Sequence, residues 1–339
     1  MSEKLSRRRF LGTVAATTVA TTAANPLTLK TDSSALAEDS VESDFKTKIH
    51  KAAICGELND TRCETLAKAG FEGMETTHWN TTPEKAAAAR NLAEKHGLRI
   101  HSVMRGWAEF NHANDIQRQK TIDDTATAIR SAAAYGADTI LLVPCRIGGI
   151  AMPAPWDFKL DFDPETLELH KVVEEDNSAY SAYIEQQNVA TQKSRDAVNS
   201  LISLAAELGV VIAIENVWNN LWVKPEFHAA FVRSFHNIWV QTYLDLGNHV
   251  KYDKTENWIK ACGSTIIKLH CKDFTINKSS PSGGDFKHLH EGDIDWPSVR
   301  RELEAVHYNG WMSDETGVPA DKELARRMNV IIDGKEYKK

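Results

Sequence analysis

One pattern of punctuation governs what this chain can become. A polar, alanine-rich helical stretch closes on a glycine, and a short run rich in β-branched residues follows. It recurs as LAKAGFEGMETT, AEKHGLRIHSV, AAYGADTILLV, AAELGVVIAIEN, IKACGSTIIKLH and AVHYNGWMSDE. Glycine suits the left-handed position just past a helix C-terminus, so each copy reads as helix, cap, strand. Short, wholly apolar strands separated by helices imply a parallel sheet covered by helices.

Eight strands are expected, near 51–58, 73–77, 99–104, 138–143, 210–215, 240–245, 266–270 and 311–315. Helical patterns lie near 60–69, 84–96, 115–135, 188–208, 225–235, 254–262, 296–307 and 319–331. Eight β/α units in this order and length predict an α/β fold, a (β/α)8 TIM barrel, over 48–333. A linker at 38–47 and a tail at 334–339 flank it. The competing arrangement is a doubly wound open sheet. It would show a glycine-rich turn after the first strand, and CGELNDTR is not G-x-G-x-x-G. The connection at about 144–187 is unusually long and follows strand four. It is expected to cover the catalytic face, as a substrate lid or an oligomer contact.

The first 37 residues differ in kind. SRRRFLG leads into a threonine- and alanine-rich stretch that closes on Ala35-Leu36-Ala37. This resembles a twin-arginine export signal with Arg7 and Arg8 as the pair, which implies a periplasmic or other extracytoplasmic location. A basic tail without structure is the bland alternative. The segment carries five Lys/Arg against two Asp/Glu, so without it the net charge of −7 becomes −10. No basic stripe follows it, which argues against a nucleic-acid partner. No run of about 18 apolar residues is present to span a membrane. The five cysteines are odd in number and form no C-x-x-C, so buried free thiols are expected.

Chemistry in such a barrel sits at the C-terminal ends of the strands. The last four strands end in Glu215, Asp245, His270 and Glu315, at spacings of 30, 25 and 45 residues. Three carboxylates sharing one small site need a cation among them. One imidazole with three carboxylates and no thiolate suits one divalent ion, Mn²⁺ first, then Co²⁺ or Mg²⁺, with Zn²⁺ last. Each residue also has an ordinary reading: an ion pair for Glu215, a turn cap for Asp245, core packing for His270, and a surface position for Glu315, with Asp314 as its equally plausible substitute.

Four stretches, IAIENVWN, YLDLGNH, IIKLHCKDF and HEGDIDWPSVRRELEAVHYNGWMSDE, bring a family into view. The chain resembles the sugar (phosphate) isomerase/epimerase group of xylose-isomerase-like TIM barrels, to which D-tagatose 3-epimerase and L-ribulose-5-phosphate 3-epimerase belong. The resemblance implies that Glu215, Asp245, His270 and Glu315 hold the metal and that Glu215 and Glu315 double as acid and base. It also implies that Lys272 is a pocket lysine. Two positions depart from the group: Leu221 replaces a substrate-binding glutamate, and Asn248 a histidine, with His249 one residue on.

The expected reaction is proton transfer beside a sugar carbonyl through a metal-stabilised enediolate, with Lys272 and His249 facing the developing oxyanion. Glu75, His101 and Arg105 end strands two and three. With Trp107 and Trp218 they are read as a polar pocket with an aromatic wall, or else as ordinary packing. A phosphate on the substrate would find Arg105 or Arg146. The expected partner is therefore a small-molecule sugar or sugar derivative; a homo-oligomer is left open. Three other functions compete. They are a dehydratase or lyase on keto-sugars or keto-inositols, a non-catalytic sugar-binding barrel, and an endonuclease-IV-like phosphodiesterase. The acidic charge disfavours the last.

Overall fold

The computed structural model describes residues 45–338. The export signal expected at 1–37, residues 38–44 of the linker and Lys339 lie outside them. Among the described residues, eight barrel strands alternate with eight principal helices. The strands are β1 (Ile49–Cys55), β2 (Gly73–Thr76), β3 (Arg99–Trp107), β4 (Thr139–Val143), β5 (Val211–Glu215), β6 (Val240–Asp245), β7 (Ile266–Cys271) and β8 (Gly310–Asp314). The helices are α1 (Asp60–Ala69), α2 (Pro83–Lys95), α3 (Asp115–Tyr135), α4 (Ser181–Leu208), α5 (Pro225–Arg233), α6 (Thr255–Cys262), α7 (Trp296–Ala305) and α8 (Lys322–Ile332). The strands close in the order β1-β8-β7-β6-β5-β4-β3-β2. All eight ladders are parallel, and β1 seals the ring by pairing Ile49 to Ala53 with Gly310 to Asp314. The (β/α)8 barrel is therefore the fold.

The glycine punctuation explains why. Gly70, Gly136 and Gly209 cap α1, α3 and α4 in the left-handed region. At each, the cap N–H bonds back into the last helical turn before the chain enters a strand. Leu141, Val143, Ala213 and Tyr243 pack together inside the ring, with Met104, Val217 and Ile267 against them. The larger core lies between strands and helices. Among the described residues no helix is long and apolar enough to cross a membrane, and all five cysteines are buried free thiols.

Several boundaries move. Strand β1 runs Ile49–Cys55 and not 51–58, because Asn59 accepts from Arg62 N to cap α1 and the chain must turn before it. Helix α4 begins at Ser181 and not near 188, since its added turns have partners of their own. Tyr183 donates to Asn220 O and Gln187 accepts from Trp222 N. The long connection is thus shorter than expected, and it carries a small antiparallel pair, Asp161–Phe162 with Leu169–Lys171. Helix α8 starts at Lys322, capped by Asp321, and not at 319. The fold also reaches past 48–333: Phe45 lies under the Arg300 guanidinium and Tyr337 stacks on His290.

Candidate metal centre

Strands β5, β6 and β7 end or nearly end on Glu215, Asp245 and His270, and Glu315 follows β8 directly. One donor atom from each lies within 4.8 Å of the others. His270 Nδ1 is 3.3 Å from Glu215 Oε1, 3.2 Å from Glu315 Oε2 and 4.0 Å from Asp245 Oδ2. Three of the four residues are buried, whereas the Glu315 side chain keeps 33% of its surface. Glu315 is the one that opens outward, and cavities of about 860 and 580 Å³ both reach it.

The charge balance shows what the cluster suits. Burial raises the Glu215 and Asp245 carboxyls, which marks their negative charge as costly there. Burial also opposes charge on His270, but the carboxylates of Glu75 and Glu315 outweigh it and push its pKa well above the ordinary value. Lys272 Nζ lies 2.7 Å from Asp245 Oδ2 and also touches Glu315 Oε2. Burial works against this ammonium, yet the same carboxylates raise its pKa. Three carboxylate ligands and an imidazole nitrogen, crowded and converging, fit a divalent cation with a preference for oxygen.

Two layers hold these four side chains. Behind His270, its Nε2 lies 2.6 Å from Glu75 Oε2, to which Tyr243 Oη also donates at 3.0 Å. Ser102 Oγ donates to the other Glu75 oxygen at 3.0 Å. Above, the loops after β5 and β6 are laced together. Asn216 Oδ1 accepts from Asp245 N at 2.6 Å, and Asn216 Nδ2 donates to Asp245 O at 2.9 Å. Asn248 Nδ2 donates to Asn216 O, Trp218 Nε1 to Asn248 O, and His249 Nε2 lies 2.9 Å from Val217 O. Gly247 and Asn248 donate their N–H groups to Asp245 Oδ1. A Cβ on Gly247 would sit 2.5 Å from Lys272 O, so only glycine lets this turn lie against the end of β7.

A family model described as xylose isomerase-like TIM barrel matches residues 63–333. The chain belongs to that family. Solved structures agree on the fold. D-psicose 3-epimerase from Clostridium cellulolyticum H10, solved with D-tagatose, is 14% identical, with 84% of this chain and 97% of that one covered at a TM-score of 0.58. The 3-keto-D-glucoside 4-epimerase of E. coli gives 13% identity, 84% and 98% coverage and 0.58. Mannonate dehydratase from Streptococcus suis gives 14%, 84% and 94%, and 0.60. No curated protein matches.

In this family member the remaining expected site residues scatter. Lys272 stands in the centre, as described. Glu75 lies beneath His270 and not on the pocket wall. His249, expected at the oxyanion, packs on Trp258 with ring centroids 4.7 Å apart, and burial lowers its pKa to about 3. It anchors the loop instead. His101 is wholly buried, stacks on Trp311 at 4.8 Å and meets Ser313 Oγ at 3.0 Å. A register shift between Met104 and Gly106 takes Arg105 out of the ladder; it covers Trp79 and donates to Trp107 O. Arg146 lies over Trp107 at 4.0 Å. Trp218 is covered by Lys251 at 3.4 Å and by Phe286 at 4.8 Å, so its ring backs the wall and Phe286 forms the exposed part. Asn216, Tyr243, Ser102 and Phe286 were missed. Asn216 alone carried a signal, a polar residue beside Glu215 at a strand end.

Proposed function

We propose that this protein is a divalent-metal-dependent sugar isomerase or epimerase that moves a proton beside a carbonyl. What supports the reading is the placement of Glu215 and Glu315 about His270 Nδ1, at 3.3 and 3.2 Å, with Lys272 touching the outer glutamate. An ion held by Glu215, Asp245, His270 and Glu315, with Mn²⁺ preferred over Co²⁺, Mg²⁺ and Zn²⁺, would supply Lewis acidity to a carbonyl oxygen. One glutamate takes the proton from the neighbouring carbon and its electron pair moves onto the carbonyl oxygen. The other glutamate returns a proton to that carbon from the opposite face. Each such step contributes about 10²–10⁴-fold. The Lys272 ammonium offsets the charge that develops on oxygen.

The sugar epimerases among the structural relatives support this reading. The dehydratase among them supports a variant in which the same first step expels a β-leaving group, and an unsaturated product would mark it. An export signal at 1–37 would place the enzyme where phosphorylated sugars are scarce, which favours an unphosphorylated substrate. The test is a screen in deuterated solvent. Chelator-stripped protein receives Mn²⁺, Co²⁺ or Mg²⁺ and is offered ketoses and keto-glycosides, and NMR follows loss of carbon-bound protons. Exchange is expected with at least one sugar, reduced about 10²-fold or more by Glu215→Gln or Glu315→Gln. If no sugar exchanges under any metal, the reading is abandoned. Binding that both glutamine variants leave untouched would instead select a non-catalytic barrel.

A further inference from the structure

Three loops meet at one ammonium group near the metal centre. Lys251, in the turn between β6 and α6, places its Nζ 3.4 Å from the centre of the Trp218 ring, on the loop after β5. The same Nζ is 5.3 Å from the Tyr252 ring centre and donates at 3.0 Å to Ser282 O. Ser282 lies in the turn of a hairpin that follows β7, Asp273–Ile276 paired with Gly284–Lys287. A Cβ on Gly283 would come within 3.2 Å of Lys251 Cδ, so that turn closes directly on the lysine's stem. Burial opposes the charge and lowers its pKa to about 8, and the ring faces and the carbonyl act against that cost. The root of the hairpin is anchored separately: Phe274 is wholly buried, and Asp273 accepts from Trp296 Nε1 at 2.9 Å. Its tip, from Ile276 to Ser279, is exposed.

We propose that Lys251 is a positioning residue, a cation–π clasp that pins the tip of this hairpin against the loops after β5 and β6 and so fixes one wall of the cavity beside Glu315. A two-stranded hairpin is marginal by itself and takes its order from what it packs on. Here the packing leads to the site. Phe286 and Lys287, on the return strand, line the cavity of about 580 Å³ that Lys272 and Glu315 also line. Phe286 lies 4.8 Å from Trp218, the ring that Lys251 covers. Trp218 Nε1 donates to Asn248 O, and the Asn248 N–H is held by Asp245 Oδ1. One ammonium therefore joins the hairpin to the turn that carries Asp245. The inference rests on the metal-dependent proton-transfer reading above for what the wall serves, and adds how that wall is kept in place and water limited there.

The experiment is NMR hydrogen exchange with Mg²⁺ present, following the hairpin-turn amides of Asn277, Ser280 and Gly283 and the Trp218 indole N–H. Lys251→Met keeps the stem and removes the ammonium. Protection at these four groups is expected to fall about tenfold, while Lys251→Arg, which also stacks on an aromatic face and donates, should keep it. A second measurement reads the site itself: the relaxation of water protons by bound Mn²⁺. Relaxation per bound ion should rise in Lys251→Met as water gains access, with Mn²⁺ affinity unchanged, and return to the wild-type value in Lys251→Arg. Protection untouched by Lys251→Met, or lost equally in both variants, overturns the clasp. A loosened hairpin with unaltered water relaxation overturns its role at the site. The outcomes separate from those above. If no sugar exchanges a proton, the activity falls and the clasp is still decided by hydrogen exchange; a firm hairpin in Lys251→Met beside normal proton exchange does the reverse.

Discussion

A histidine offers a metal ion one ring nitrogen, and the partner of the other nitrogen decides which. Glu75 accepts the Nε2 proton of His270, with Tyr243 and Ser102 fixing the carboxylate in place. Nδ1 is left facing the carboxylates of Glu215, Asp245 and Glu315. Glu75→Gln keeps the shape but removes the charge that makes the imidazole a better donor. The change is expected to weaken Mn²⁺ binding about 10–100-fold, read as free Mn²⁺ by electron paramagnetic resonance, with circular dichroism unchanged. Wild-type affinity in that variant would show that Glu75 does not tune His270. The convergence of Glu215, Asp245, His270 and Glu315 was legible because each lies at or beside a strand end and strand ends recur with the β/α unit. The role of Glu75 was not legible. Strand β2 is buried at every position, so no alternation told which way its side chains point. His249 defeated the reading for a related reason. Three residues separate it from Asp245, but a loop has no period, and the chain turns it onto Trp258.

At the scale of elements, the sequence showed existence and order and misjudged ends. Glycine caps and apolar runs mark where a helix must stop and a strand must begin. The start of α4 was hidden because Tyr183 and Gln187 are held by residues of the loop after β5, contacts no local pattern announces. The docking of residues 45–47 was hidden similarly. Lys46 and Thr47 donate their backbone N–H groups to Glu304 of α7 at 3.0 and 3.1 Å, and the Thr47 hydroxyl donates to it at 2.5 Å. These bonds hold the Glu304 carboxyl at about 2 against an ordinary 4.5. An acid whose folded pKa is depressed stabilises the fold above its unfolded value and loses that contribution as pH falls through the folded one. Docking of this segment is therefore expected to weaken between about pH 4.5 and 2, seen as faster amide exchange at Lys46 and Thr47. Glu304→Gln should show that fast exchange already at neutral pH. Protection unaffected by either change would mean that Glu304 does not hold the segment.

For the molecule as a whole, a cation at the proposed metal centre would couple local chemistry to the integrity of the ring. The four side chains proposed to hold it come from β5, β6, β7 and the residue after β8, so one ion would tie together half of the barrel at its C-terminal rim. The unfolded chain has no such convergence, and binding free energy at the rim becomes folding free energy. At a free ion concentration a hundredfold above Kd the gain is about 2.7 kcal/mol. For a domain of this size that raises Tm by about 5 °C over the chelator-stripped protein, measured by calorimetry. Asp245→Asn should erase most of the rise by removing a charged ligand without emptying the site. The direction with pH follows from His270. Neighbouring carboxylates overcome burial and hold its proton to higher pH than usual, so an arriving cation must displace that proton. The metal-dependent rise should consequently be larger at pH 8 than at pH 6. A rise that is equal at both, or that survives in Asp245→Asn, would place the ion elsewhere on the protein and detach the rim from the stability of the barrel.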